Sequence, residues 1–276
     1  MGTLYLVATP IGNLEDISQR ALNVLRTSRL IAAEDTRVTR RLLSAYDIHT
    51  PLTSYYEHNK LSKLEAILAN LDEGPVALVS DAGTPGLNDP GFELVRAALG
   101  AGHNVIPVPG PSAPVSALVA SGLPTDAFLY LGYLPRHAAE RRKLLEEVSG
   151  LPYTLIFLEA PHRLVESLSD LAEVLGSREA AVARELTKLH EEVFRGSLEE
   201  CYQHYLSNPP RGEITLVIHG QVSQSLRWEE SRLDQSIGDA LAKGESARTA
   251  AREIAEESGW SRREIYRRII DKHLPS

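Results

Sequence analysis

The sequence predicts an α/β protein made of two successive α/β domains and a small helical module at the C-terminal end. Three observations carry this expectation. From Leu4 onward, apolar runs of strand length alternate with segments of helical spacing, the pattern of sheets covered by helices. Several of these runs end abruptly in polar loops rich in glycine and proline. From about residue 223 the strand-like runs cease and only helical spacing remains. The expected domains are 1–122, 123–222 and 223–276, the first boundary falling at the turn residues Gly122 to Thr125.

In the first domain, Leu4 to Ala8 reads as a short strand entering Thr9-Pro10-Ile11-Gly12-Asn13. Asn13 with Asp16 three residues on resembles a helix start, and Ile17, Ala21, Leu25 and Ser28 follow at helical spacing. Leu30 to Ala33 is a second strand, ending in Glu34-Asp35-Thr36-Arg37. It opens a helix on which Arg37, Arg40 and Arg41 share one face, either plain solvated surface or a holder of phosphate. Residues 51–59 mix aromatic and polar groups ambiguously and lead into a helix from about Lys60 to Leu71.

The domain is organised around Val76 to Gly91, VALVSDAGTPGLNDPG. Val76 to Val79 suits a strand buried on both faces of a parallel sheet. Asp81 places a charge at the strand end, Gly83 and Gly86 leave backbone N–H groups approachable, and Pro85 fixes a bend. Asn88 or Asp89 is expected to cap a helix whose first residue is Pro90. That helix stops near Gly100, His103 to Val108 is another strand, and Pro109-Gly110-Pro111-Ser112-Ala113 is a loop stiffened by its prolines that opens a helix to about Ser121.

The second domain repeats the alternation with strands Phe128 to Leu131, Tyr153 to Leu158, Ala180 to Ala183 and Glu213 to His219. Helices are expected near 138–148, 161–175 and 198–206. In the tail, helices over 232–242 and 247–257 precede the turn glycine Gly259, and Ser261 caps a last helix reciprocally with Glu264, a helix-turn-helix-like pattern. The last helix carries Arg262, Arg263, Arg267, Arg268 and Lys272 against Glu264 and Asp271.

A content of 43% hydrophobic and 24% charged residues is that of an ordinary globular protein. The single cysteine, Cys201, excludes an intramolecular disulfide and points to a reducing compartment, so a cytoplasmic location is expected. No apolar stretch approaches the roughly 20 residues of a membrane-spanning helix. The net charge of −8 lies wholly in the first 222 residues, because 223–276 hold 10 basic and 10 acidic side chains. A polyanionic partner would therefore have to meet local basic clusters.

The chain has no GxxxxGK[ST] phosphate loop, no GxGxxG after its first strand and no GxSxG elbow. Its histidines form no ligand pair with suitably placed carboxylates, so no metal is expected. What stands out is a set of strand-end loops bearing Thr9, Asp35, Asp81, Ser112 and Glu159 beside small residues. They offer hydrogen bonds and close backbone approach without an obvious nucleophile, which suits an enzyme whose cosubstrate already carries an activated group.

ATPIGNLEDISQRAL, AAEDTRVTRRLL, ALVSDAGTPGLNDPG, VPGPSAPVSAL, FLEAPHR and ARELTKLHEEVFRG, in this order over nearly the whole chain, closely resemble the tetrapyrrole methylase family, and within it the members that modify ribosomal RNA. The resemblance implies two α/β domains of the tetrapyrrole methylase type with S-adenosylmethionine in the cleft between them. It further implies a homodimer and methyl transfer to the ribose 2′-hydroxyl of a cytidine in small-subunit (16S) rRNA. It assigns cosubstrate binding to Pro10, to Ser80, Asp81, Ala82 and Gly83, to Ser112 and Ala113, and to Leu158. Ala8 and Leu158 stand where the family usually has proline and an aromatic residue. Asp35 and Asp81 are candidates to accept or orient the hydroxyl proton, and Arg37 and Lys188 to favour a developing alkoxide or hold phosphate. Each of these also has a plain reading as a helix cap or ion-pair partner. Two other functions stay open at this point: a tetrapyrrole-precursor methyltransferase of the same fold, and a non-enzymatic nucleic-acid-binding regulator using the tail.

Overall fold

The structure, a computed structural model, describes residues 1–221 and 228–273, apart from the side chains of Glu256, Lys272 and His273. The opening of the expected helical module, 223–227, and the Lys272 side chain thus lie outside the described residues. The chain divides into two compact units, Met1–Gly220 and Gln221–Ser276.

The larger unit contains two five-stranded sheets. The first is built from β1 (Thr3–Val7), β2 (Leu30–Ala33), β3 (Leu52–Ser54), β4 (Val76–Val79) and β5 (Asn104–Val108), in the order β3-β2-β4-β1-β5 and parallel throughout. All four residues of β4 are buried, which is why its sequence is apolar without alternation. Helices α1 (Gln19–Thr27) and α2 (Thr36–Ala45) supply Leu25, Leu42 and Leu43 to one face. Helices α3 (Lys60–Glu73) and α4 (Phe92–Gly100) supply Ile67, Leu71 and Leu94 to the other. Because the strands are parallel, β1, β2, β4 and β5 all end at one edge of the sheet, where α/β proteins place ligands.

The second sheet is formed by β6 (Phe128–Tyr133), β7 (Thr154–Glu159), β8 (Glu179–Arg184), β9 (Glu192–Ser197) and β10 (Ile214–Ile218). Its order is β6-β7-β10-β8-β9, and only β6 and β7 run parallel. Helices α6 (Ala138–Val148), α7 (Leu164–Leu175) and α8 (Leu198–Ser207) cover one face through Leu145, Leu168, Leu171 and Leu198. The other face is covered by α5 (Ala113–Ser121), whose Ala117 and Leu118 pack on Ile156, Ala181, Ala183 and Val217. The helix that follows the last strand of the first sheet therefore closes the core of the second.

Several local expectations are corrected. Asn13 caps only a single 3₁₀ turn, Leu14–Asp16, while α1 is capped by Ser18, which accepts the Ala21 N–H at 3.0 Å. Helix α4 starts at Phe92, not Pro90, and neither Asn88 nor Asp89 caps it. Asn88 instead adopts a left-handed φ of 63°, and its side chain fills the space that a Cβ on Gly132 of β6 would occupy. Strands β3 and β9 have no counterpart among the expected strands; both lie at sheet edges, where one-sided pairing asks for little apolar sequence.

The smaller unit packs α9 (Glu230–Ala242), α10 (Ala247–Ser258) and α11 (Arg262–His273) around Leu233, Ile237, Ala250, Ala251, Ile265 and Ile269. Gly259 ends α10 at a left-handed φ of 68°, and Ser261 and Glu264 cap α11 reciprocally at 2.9 and 3.2 Å. Arg268, expected on the basic face of α11, is instead held by Asp234 and, at 2.8 Å, by Glu230 of α9, which leaves Arg262, Arg263 and Arg267 exposed. Among the described residues, no helix is long and apolar enough to cross a membrane.

Candidate active site

Three strand-end loops of the first sheet are fastened to one another. Thr9, after β1, and Gly83, after β4, exchange backbone hydrogen bonds of 2.9 and 3.0 Å, and the Thr9 hydroxyl donates to the Ser80 carbonyl at 3.2 Å. Gly83 sits at φ 81°, a conformation that favours glycine. The loop after β5 closes on the first so tightly that a Cβ on Gly110 would stand 3.0 Å from that of Ala8. The Asp81 carboxylate accepts the backbone N–H of Asp35 at 2.9 Å, which joins the ends of β4 and β2.

These loops form one wall of a cleft of about 390 Å³, within the range of small-molecule sites. The other wall comes from the second sheet: Tyr130 and Tyr133 of β6, Leu158 to Pro161 at the end of β7, and Gly212 to Thr215 entering β10. Five carboxylates line the cleft. Glu159 is matched by Arg163 and the Ser167 hydroxyl, and Glu213 by Lys188 at 3.2 Å. Among the described residues, Glu34, Asp81 and Asp89 have no such cation bonded to them. Loss of water raises all three from their ordinary values, and like charge adds to the effect: Asp89 chiefly at Glu34, Asp81 at Asp89 and Asp35 at Asp81. Asp81 is open to solvent at the rim, yet the surrounding walls remove enough water to raise its carboxyl. Burial pushes the Tyr130 phenol up to about 12, so it stays a hydrogen-bond donor. Among the described residues, no group of three or more His, Cys, Asp or Glu is placed to hold a metal ion. The cleft is thus a half-desolvated, negatively charged site suited to a cationic small molecule.

Of the residues singled out from the sequence, Asp81, Ala82, Gly83, Ser112, Ala113 and Leu158 line this cleft. Ser80 is buried behind it, with its hydroxyl directed to the carbonyls of Ala82 and Gly83, and Pro10 belongs to the first loop without lining the cavity. Asp35 and Arg37 lie outside the lining. Asp35 caps α2 by accepting the Arg37 N–H at 2.8 Å and grips the same residue's guanidinium at 2.6 Å, which holds its carboxyl down at about 2. Lys188 also stands outside, 2.9 Å from Glu185, with its stem where a Cβ on Gly12 would be. Burial opposes its charge, but the bond to Glu185 and the charge of Glu213 prevail and raise its ammonium. Sequence reasoning missed Glu34, Asn88, Asp89, Tyr130, Tyr133 and Glu213 as cleft residues. Glu34 beside Asp35 at a strand end was the one available signal; the tyrosines read as ordinary strand residues.

The architecture and its cleft define a class of α/β enzymes with a ligand site at the carboxyl ends of a parallel sheet. The chain belongs to the tetrapyrrole (corrin/porphyrin) methylase family, whose description matches residues 3–202. It is 46% identical over 270 residues, 96% of this chain and 93% of the relative, to the ribosomal RNA small subunit methyltransferase I of Halalkalibacterium halodurans. The protein of the same name from Synechocystis sp. is 46% identical over 274 residues, 98% of each chain. Solved structures share the fold: the methyltransferase CobJ at a TM-score of 0.60 and 16% identity, covering 80% of this chain and 94% of that one. The uroporphyrin-III-C-methyltransferase of Thermus thermophilus matches at 0.53 and 23% identity, covering 79% of this chain and 94% of that one.

Proposed function

We propose that the cleft binds S-adenosylmethionine and that the chain methylates the ribose 2′-hydroxyl of a cytidine in small-subunit (16S) ribosomal RNA, acting in the cytoplasm as a homodimer. The observation that carries the reading is the negative, half-desolvated cleft, in a chain whose full-length relatives are named for that RNA. The residues present fit this cosubstrate. Glu34, Asp81 and Asp89 offer negative charge to its sulfonium and ammonium groups, the small residues Ala82, Gly83 and Ala113 let ligand approach the backbone, and Leu158 gives an apolar surface for a purine ring. When bound, S-adenosylmethionine supplies a methyl group already activated for transfer.

The chain then has to position the ribose and manage one proton. Asp81 is proposed for this role, because burial raises its carboxyl and so makes it a better proton acceptor than an ordinary carboxylate. Asp35, held ionised at about 2 by Arg37, is a weak base and serves instead to fix Asp81 through its backbone N–H. Lys188, between Glu185 and Glu213, braces the rim of the cleft. The RNA chain, repelled by the acidic interior, must rest on basic groups outside it, and Arg37, Arg40 and Arg41 are exposed on α2. Labelled methyl transfer to assembled small subunits, free rRNA and a porphyrinoid tests the reading. Label in RNA is expected; label in the porphyrinoid alone overturns it.

A further inference from the structure

A second cavity of about 310 Å³ lies beside the cleft and is lined by Arg184, Glu192, His204, Tyr205, Asn208 and the segment Pro209 to Arg211. The next residues along, Gly212 and Glu213, line the cleft, so one short segment forms a wall of both. The second cavity is rich in donors: two guanidinium groups, an imidazole, an amide and a phenol. Its one carboxylate, Glu192, is already engaged by Arg184 at 2.9 Å and faces His204 at 3.6 Å. The imidazole is fixed by stacking on Phe194, with ring centroids 4.0 Å apart.

Two features are unexplained by packing. Tyr205 is 1% exposed, and among the described residues its hydroxyl has no hydrogen-bond partner, although buried polar groups are ordinarily satisfied. Arg211, exposed at the edge of the cavity, forms no ion pair among the described residues. A ligand made of acceptors would engage both, and a phosphodiester has acceptors and no donors. A polymer whose ribose enters the acidic cleft carries its neighbouring phosphates out over one of the walls, and the wall made by Gly212 and Glu213 continues directly into Arg211.

We propose that this cavity holds a phosphodiester group of the RNA next to the nucleotide whose ribose enters the cleft, with Arg211, Arg184 and Tyr205 as its contacts; the inference rests on the proposed function. The test compares Arg211→Ala, Arg211→Lys and Tyr205→Phe with the wild type in methyl transfer to purified small ribosomal subunits. Arg211→Ala is expected to raise KM for subunits about fivefold, Tyr205→Phe about threefold and Arg211→Lys less than either, with kcat and the Kd for S-adenosylmethionine within about twofold of wild type. The slope of log KM against log salt should fall by about 0.7–0.9 in Arg211→Ala, as expected when one phosphate is no longer neutralised. Unchanged KM and salt slope in an active wild-type background overturn the cavity assignment alone. A wild type that transfers no methyl to RNA overturns the proposed function; binding of the enzyme to labelled subunits is then decisive, with weaker binding by Arg211→Ala supporting the cavity and equal binding overturning it.

Discussion

Thr9 and Gly83 exchange two backbone hydrogen bonds, Thr9 N–H to the Gly83 carbonyl at 2.9 Å and Gly83 N–H to the Thr9 carbonyl at 3.0 Å. The bridge fastens the first strand-end loop to the one that carries Asp81, and it holds Gly83 at φ 81°. A side chain there has room, since the nearest atoms to an added Cβ are Ile11 Cγ2 at 3.6 Å and the Pro111 carbonyl oxygen at 3.8 Å. Gly83→Ala should therefore act through backbone strain alone and lower stability by about 1–2 kcal/mol, read as a shift in denaturant midpoint. A loss much larger than that would mean the loop collapses when the bridge is strained.

Cosubstrate binding should weaken with acidity. Glu34, Asp81 and Asp89 have folded-state values raised by burial, so their ionised forms penalise the fold at neutral pH, and that penalty lifts as pH falls through the raised values. The same protonation removes the negative charge that holds a cation. Kd for S-adenosylmethionine should thus rise as pH is lowered, beginning above the ordinary carboxylate midpoint of about 4. Asp35, held at about 2, has the opposite sign: its contribution to stability is fully present above its unfolded value and is lost progressively from there as pH falls through about 2. Calorimetric titrations from pH 7 downward check this, and a flat Kd would count against a charge-based cleft.

The exposed face of α2 should bear on RNA and not on the cosubstrate. Arg40→Ala with Arg41→Ala is expected to raise KM for small subunits and to reduce its salt dependence by about 0.9 for each phosphate that is no longer held, with Kd for S-adenosylmethionine unchanged. Adding Arg37→Ala releases Asp35 from its ion pair as well, so the triple variant should also disturb Asp81. Equal salt slopes in wild type and the double variant would assign these arginines to plain surface.

Truncation after Gly220 separates the two units. Each has its own buried cluster, so the fragment 1–220 is expected to fold and to bind S-adenosylmethionine. It should methylate small subunits more slowly, chiefly through a higher KM, because Arg262, Arg263 and Arg267 present a basic face in a segment free of the net negative charge that the first 222 residues carry. Undiminished methylation would rule out a docking role for the tail.

What can be read in the sequence follows from how each feature is written in it. Val76 to Val79 is legible to the residue because a strand covered on both faces must be apolar throughout, and its abrupt end at Asp81 marks the cleft. The edge strand β9, EVFRGS, has no such requirement and passes for loop. Asp81 stands out because it sits at the end of a recognisable strand. Asp89 reads as a helix cap, since its place in the cleft depends on walls supplied by Tyr130 and Gly212, far along the chain. Arg268 reads as part of a basic face because its partners, Asp234 and Glu230, lie 34 and 38 residues away. Local chemistry is visible in the sequence, whereas pairings between distant residues emerge only in the folded chain.

The central claim, methyl transfer to a ribose hydroxyl by a cleft in which Asp81 takes part, is tested most directly by nucleoside analysis of small-subunit rRNA after reaction with S-adenosylmethionine. The wild type should yield 2′-O-methylcytidine. Asp81→Ala should yield far less and bind S-adenosylmethionine more weakly by about 1.5–3 kcal/mol, roughly tenfold to more than a hundredfold in Kd, the usual loss for a hydrogen bond to a charged group. Methyl groups found only on bases or on a tetrapyrrole, or an Asp81→Ala variant that binds and transfers as well as wild type, would contradict the account.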